Sequence, residues 1–128
     1  MWGNKWAWID GLNMSSSTPY ICDSYSFADG TTTGYTQIAF NCPSSNNYQS
    51  TLGYDSTNDW VLLPSGASGA NQNSAIGDYI YTSTGSLAAR LAGDWYASSY
   101  AGLFYWNMGA DASYRNRRIG ARLMYIPS

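Results

Sequence analysis

Short alternating runs of apolar and polar residues recur along this chain, and helical periodicity is weak throughout. Leu is sparse, Glu is missing, Lys occurs once, and Gly or Ser interrupts every few positions, all of which disfavour helices. Trp6, Trp8 and Ile9 predict a first short strand ending at the turn dipeptide Asp10-Gly11. Residues 15–19 read as loop, and residues 20–27 and 35–42 as strands around a turn at 28–34. Residues 43–51 read as loop, 59–64 as a short buried strand ended by Pro64, and 65–76 as a long loop of small residues. Residues 78–84 and 86–93 flank Gly85 and predict a hairpin.

The last third alternates most regularly. Residues 101–108 set Phe104, Trp106 and Met108 on one face and Leu103, Tyr105 and Asn107 on the other. Residues 118–126 set Ile119, Ala121, Leu123 and Tyr125 against Arg118, Gly120, Arg122, Met124 and Ile126. Phe104, Trp106, Ile119, Ala121 and Leu123 are thus expected to share a core, with the loop 109–117 joining two neighbouring strands. The pattern implies a mainly β (α+β) fold: an antiparallel, twisted sheet with long loops on one side.

Length and composition bound this picture. The 128 residues make one domain, 1–128, and 45% apolar content is enough for a core. Only 11% of the residues are charged, against roughly 25% in ordinary globular proteins. Solubility therefore falls to Ser, Thr, Asn and Gly. The net charge of −2 draws in neither nucleic acid nor an anionic membrane, and no apolar run is long enough to insert in one. The first residues lack the charged-then-apolar pattern of a signal peptide, and the abrupt start at Trp2 reads as the cut end of a longer protein whose C-terminal part this would be.

Chemistry for catalysis is thin. With no His and no Glu, acid–base groups reduce to scattered Asp, Lys5, Cys22 and Cys42. No Ser-His-Asp set, zinc motif or phosphate-cradling loop is present, so neither enzyme activity nor a metal or cofactor is expected. The acidic run at 55–59 lacks the spacing of a calcium loop and reads as a solvated turn. Cys22 and Cys42 can pair or stand as small hydrophobes. Four of the five Arg lie between 115 and 122. Arg118 and Arg122 either pair with Asp94 or Asp111 and stack on aromatics, or join Arg115 and Arg117 in a patch for an acidic or sugar-bearing target. The 12 Tyr and 6 Trp suit either a core or a sticky surface.

Three segments together carry a resemblance. Residues 3–11, GNKWAWIDG, resemble the G-N-x-W-x-W-x-D-G segment of formylglycine-generating-enzyme-like domains of C-type-lectin type. Residues 90–95, RLAGDW, resemble their R-G-G-x-W segment, with Ala92 in place of the first glycine and Arg90 one place early. Residues 101–108 with 117–127 resemble the close of that fold in phage tail proteins and in variable proteins of diversity-generating retroelements, where the last strand reads I-G-x-R-L. The resemblance implies a C-type-lectin-like fold lacking its N-terminal part, with Trp6, Trp8 and Trp95 as scaffold and Gly93 allowing close packing at Trp95. The thiols of the enzyme branch are missing.

In the diversified members, binding residues lie between that Trp and the last strand. Adenine mutagenesis there turns Asn codons into ones that cannot encode Trp or Met. Tyr96, Ser98, Ser99, Tyr100, Asn107, Asp111, Ser113, Tyr114, Arg115 and Asn116 are all encodable, whereas Trp106 and Met108 are not. With Tyr105 and Arg117 they are the expected contact patch. The resemblance implies a non-catalytic domain on a virion surface (or extracellular), at a phage tail or head fibre, binding a host cell-surface protein or glycan. It would work as a homo-oligomer, such as a trimer, or as part of a larger virion assembly. The alternative is a structural virion decoration or assembly protein.

Overall fold

The computed structural model describes residues 5–24, 28, 30–68 and 76–120. Their strands are β1 (Trp6–Ser15), β2 (Thr18–Ile21), β3 (Thr36–Gln37), β4 (Asn47–Tyr48), β5 (Thr51–Leu52), β6 (Pro64–Gly66), β7 (Tyr79–Thr82), β8 (Ser86–Leu91), β9 (Trp106–Ala110) and β10 (Ile119–Gly120). The fold is mainly β, and among the described residues the one helical piece is a 3-10 turn at Ser98–Tyr100. The expected α contribution is therefore not seen there. Eight strands form one sheet in the order β3-β2-β1-β8-β9-β7-β4, with β10 on β1, and β5 and β6 form a small second sheet.

The sheet is mixed, which corrects the antiparallel expectation. β7 runs parallel to β9, and β10 runs parallel to β1. β7 and β8 do not pair as a hairpin. β9 lies between them, with Ile80 opposite Trp106 on one side and Leu91 opposite Trp106 on the other. Gly85 does mark a reversal, at φ +111°, but its carbonyl is held by the Ser16 amide at 2.8 Å. The strand ending in the described residues at Gly120 pairs with β1 and not with β9. Ala121, Arg122, Leu123 and Tyr125 lie outside the described residues.

One irregularity in β1 sets the two faces of the sheet. Trp8 pairs with Arg90, yet Asn13 pairs with Ala88, so β1 slips by three residues against β8. An odd slip exchanges faces. Trp6 and Trp8 therefore point to one side while Leu12 and Met14, of the same parity, point to the other. Asp10-Gly11 is thus a bulge within a strand and not the turn that ends it. Gly11 sits at φ +75°, and a Cβ there would lie 2.7 Å from the Cys22 carbonyl oxygen. The reversal comes later, at Ser16 and Ser17, which tightens the expected loop 15–19 into a hairpin turn.

The core lies on the Leu12 side. Met14 faces Leu87, Ile80 faces Trp106, and Thr82 faces Met108. Met14, Ile80 and Met108 are wholly enclosed, each worth about 1.5–3 kcal/mol in transfer from water. Ile38, Cys42, Val61 and Leu63 cover this layer from the loops. Cys22 and Cys42 stand as free thiols, and burial pushes the Cys42 thiol up to about 12. The expected strand at 59–64 is an alternating loop, with Val61 and Leu63 inside and Trp60 and Leu62 outside. Asp55 ties it down by accepting the amides of Ala39, Thr57 and Asn58 at 2.8, 2.8 and 3.0 Å.

Trp106 is buried, as its alternation predicts, but Phe104 is exposed and Tyr105 buried. The phase of residues 103–105 is corrected by a turn: the Tyr105 amide reaches the Gly102 carbonyl at 3.2 Å before β9 begins. Gln49 fixes that turn, donating to the carbonyls of Phe104 and Tyr79 at 2.6 and 3.0 Å.

Two predictions follow the backbone and the phase. Gly11→Ala should destabilise by about 1–3 kcal/mol, whereas Ala92→Gly, which relieves a non-glycine at φ +80°, should stabilise by about 0.5–1 kcal/mol. Urea unfolding of both variants checks the opposite signs; a shared sign would reject the assigned backbone. Met108→Ala should cost about 2–5 kcal/mol and Phe104→Ala less than about 1 kcal/mol. The reverse order would restore the simple alternation.

Candidate functional site

On the face opposite the core, the strand registers align Trp8, Arg90, Asn107 and Tyr81 in one row across β1, β8, β9 and β7. Above this row the segments 94–100 and 111–118 fold back over the sheet. Between them opens a pocket of about 630 Å³, within the range of about 300–1,000 Å³ usual for small-ligand sites.

Arg90 forms its floor and is 6% exposed. Its guanidinium carbon lies 5.5, 5.4 and 5.1 Å from the ring centres of Trp6, Trp8 and Tyr114. These ring faces stabilise a cation. Nη2 donates to Asn107 Oδ1 at 2.7 Å, while Nε is buried without a hydrogen-bond partner. Burial pulls the guanidinium pKa below its ordinary value, and nearby Tyr114 acts the other way.

Asp94 and Arg118 make the second charged element. Arg118 Nε stands 3.3 Å from Asp94 Oδ2, an ion pair whose angle does not make a hydrogen bond. Arg118 also stacks on Tyr96 at 5.1 Å. This matches the pairing reading of Arg118 with Asp94; Arg122 lies outside the described residues.

The twelve expected contact residues divide. Tyr96, Tyr100, Tyr105, Asn107, Asp111, Tyr114 and Asn116 line the pocket. Ser98, Ser99, Ser113, Arg115 and Arg117 are exposed beside it and do not line it. Tyr105 reaches the pocket from inside and not from an outward strand face. It packs edge-on against Trp6 at 4.6 Å, and burial raises its phenol to about 12.

Trp95 was expected to be scaffold and is 56% exposed, its ring edge-on to Tyr96. Gly93 does allow a close approach, but of Ala101 and the Tyr105 ring, where a Cβ would sit 3.1 Å away. Trp6 is buried as expected, and Trp8 is half-buried under Arg90.

Arg90, Asp94 and Tyr81 were missed as site residues. For Arg90 a signal existed: an arginine inside the apolar run of β8 has to find partners for a buried charge.

The polar loops hold their own shape. Asp94 Oδ1 accepts the Tyr96 amide, Asn107 Oδ1 the Gly109 amide, Asp111 Oδ1 the Ser113 amide, and Asn116 Oδ1 the Arg118 amide. Each is a side chain turned onto its own backbone two residues later. Among the described residues no three potential metal ligands gather.

Hydrogen bonds from the Ser113 hydroxyl and amide hold the Asp111 carboxyl below its ordinary value of 3.8. A depressed folded pKa stabilises the loop above that value, and the contribution disappears as pH falls through the folded one. NMR titration of Asp111 should therefore give a midpoint below 3.8, with the Ser113 amide moving in step. A midpoint at or above that value would reject the loop geometry. Comparison of the chain with protein-family models, curated proteins and solved structures finds no match.

Proposed function

We propose that the chain is a non-catalytic ligand-binding domain whose site is the pocket over Arg90. The observation that carries this reading is the convergence of tyrosines from separate segments on one open cavity. Tyr81, Tyr96, Tyr100 and Tyr114 all line it and are 41%, 72%, 45% and 40% exposed. Large rings exposed in this way anchor ligands at little entropic cost.

The C-type-lectin-like resemblance extends the proposal to a host-receptor-binding domain of a phage tail or head fibre, or a related variable protein. One backbone detail supports it. Ala92, in the place of the family's first glycine, has the positive φ that a glycine would relieve. On a virion, homo-oligomeric copies would add avidity to modest single contacts.

A structural virion protein remains the second reading, favoured by a separate feature. Leu52 at the end of β5 and Tyr54, Trp60 and Leu62 on the segment joining it to β6 are 45%, 73%, 65% and 52% exposed, a candidate assembly surface.

Fluorescently labelled protein on a panel of bacterial cells separates the two. Tyr96→Ala should weaken cell binding by about 1–3 kcal/mol with melting nearly unchanged, Tyr114→Ala should weaken it as much while also costing about 0.5–2 kcal/mol of stability through Arg90, and Trp60→Ala with Leu62→Ser should leave binding intact. Binding or assembly that instead depends on Trp60 and Leu62, and ignores both tyrosines, would favour the structural reading.

A further inference from the structure

Arg90 carries a charge that no counter-ion among the described residues meets at ion-pair distance, and the ion pair present there joins Arg118 to Asp94. The three surrounding rings steady the charge but offer poor acceptors for its N–H groups. A guanidinium has five N–H donors. One is taken by Asn107, and Nε, though buried, has no hydrogen-bond partner.

The negative groups of the pocket are already engaged. Asp94 is paired with Arg118 and accepts the Tyr96 amide. Asp111 accepts the Ser113 hydroxyl and amide at 2.6 and 2.9 Å. The pocket lining therefore holds Arg90 and Arg118 against the buried Asp94 and the exposed Asp111, and with Asp94 in its ion pair with Arg118, Arg90 is the arginine without a carboxylate at ion-pair distance among the described residues.

Resting on the pocket as the binding site, we propose that its ligand is a carboxylate-bearing sugar, with the carboxylate seated on Arg90. The planar fork of Arg matches a carboxylate better than any neutral group. The sugar follows from the walls. Tyr96, Tyr100 and Tyr114 offer ring faces, whose negative centres suit the C–H side of a pyranose, and hydroxyls at the ring ends for its OH groups. A volume of about 630 Å³ holds a short oligosaccharide end and not an extended protein epitope.

The test uses the whole ¹⁵N-labelled chain. Sodium glucuronate and sodium N-acetylneuraminate are titrated against glucuronamide and glucose, with acetate and an Asp-containing tripeptide as further arms. The acidic sugars should shift the Arg90 Nε–H and the Asn107 side-chain amide at concentrations at least about ten-fold below their neutral counterparts and below acetate. Arg90→Lys, which keeps the charge and loses the fork, should remove most of that preference, its fold checked by melting.

Glucuronamide equal to glucuronate would overturn the proposal. So would acetate or the tripeptide matching the acidic sugars, or no shift of Arg90 and Asn107 by either acid. Each of these leaves cell binding through Tyr96 and Tyr114 standing or falling on its own assay.

Discussion

Strand β1 has to serve both faces of one sheet, and the rest of the molecule depends on how it does so. Its three-residue slip against β8 turns Trp6 and Trp8 toward the pocket and Leu12 and Met14 toward the core. A regular strand would put all four on one side, leaving either two indoles in the core layer or a thioether in the pocket. Gly11 makes the slip possible because its positive φ and missing Cβ let the chain pass the Cys22 carbonyl, and the Cys22 amide then binds the Gly11 carbonyl at 2.9 Å. A bulge beside a functional surface is a recurrent way to re-aim side chains.

The slip also makes room for a buried cation. Removing a guanidinium from water costs several kcal/mol, and each ring contact returns about 0.5–2 kcal/mol. Three rings and one amide are thus needed to keep Arg90 charged inside the sheet face. The contacts come from β1 through Trp6 and Trp8, from β9 through Asn107, and from the loop before β10 through Tyr114. Arg90 links the sheet to the loop that covers it, so the shape of the pocket and the solvation of this side chain are one problem. Asp94 and Arg118 repeat the link further along, with the buried carboxylate on the segment after β8 and its cation next to β10.

The alternation of apolar residues exposed part of this in the sequence and hid part. It identified the mainly β class, the inward phase of Trp106 and Met108, and the segments that approach the pocket. It failed at Phe104 and Tyr105 because period-two reasoning holds only within a strand, and a turn hydrogen bond ends the period at Gly102. It also failed on pairing. A reversal at Gly85 looks the same in sequence whether the flanking strands meet or a later strand enters between them, as β9 does. Trp95 was misread for a different reason: a tryptophan outside a strand carries no phase, so nothing local says which way it faces. Arg90 was legible in principle, since its even spacing with Ala88 sets it opposite Leu87 and Ala89 on the strand.

A division of labour among the polar residues explains why so weakly charged a chain holds long loops in place. Asp94, Asn107, Asp111 and Asn116 each turn a side-chain oxygen onto an amide two residues on. Three of these closures, at Asp94, Asp111 and Asn116, replace the sheet bonds that their segments lack, and the fourth lies within β9. Asn107, Asp111 and Asn116 were expected as contacts, yet their oxygens hold the wall in shape and are less free to meet a ligand. The tyrosines are different. Tyr96 and Tyr114 lie over arginines through their ring faces, and their other sides stay open. A surface built this way can exchange an outer ring such as Tyr96, though not Tyr114 over Arg90, while keeping its frame, because the bonds that define the loop are made by small side chains to their own backbone. Its tolerance to change would therefore concentrate at the outer aromatic positions and stop at the Asx positions between them.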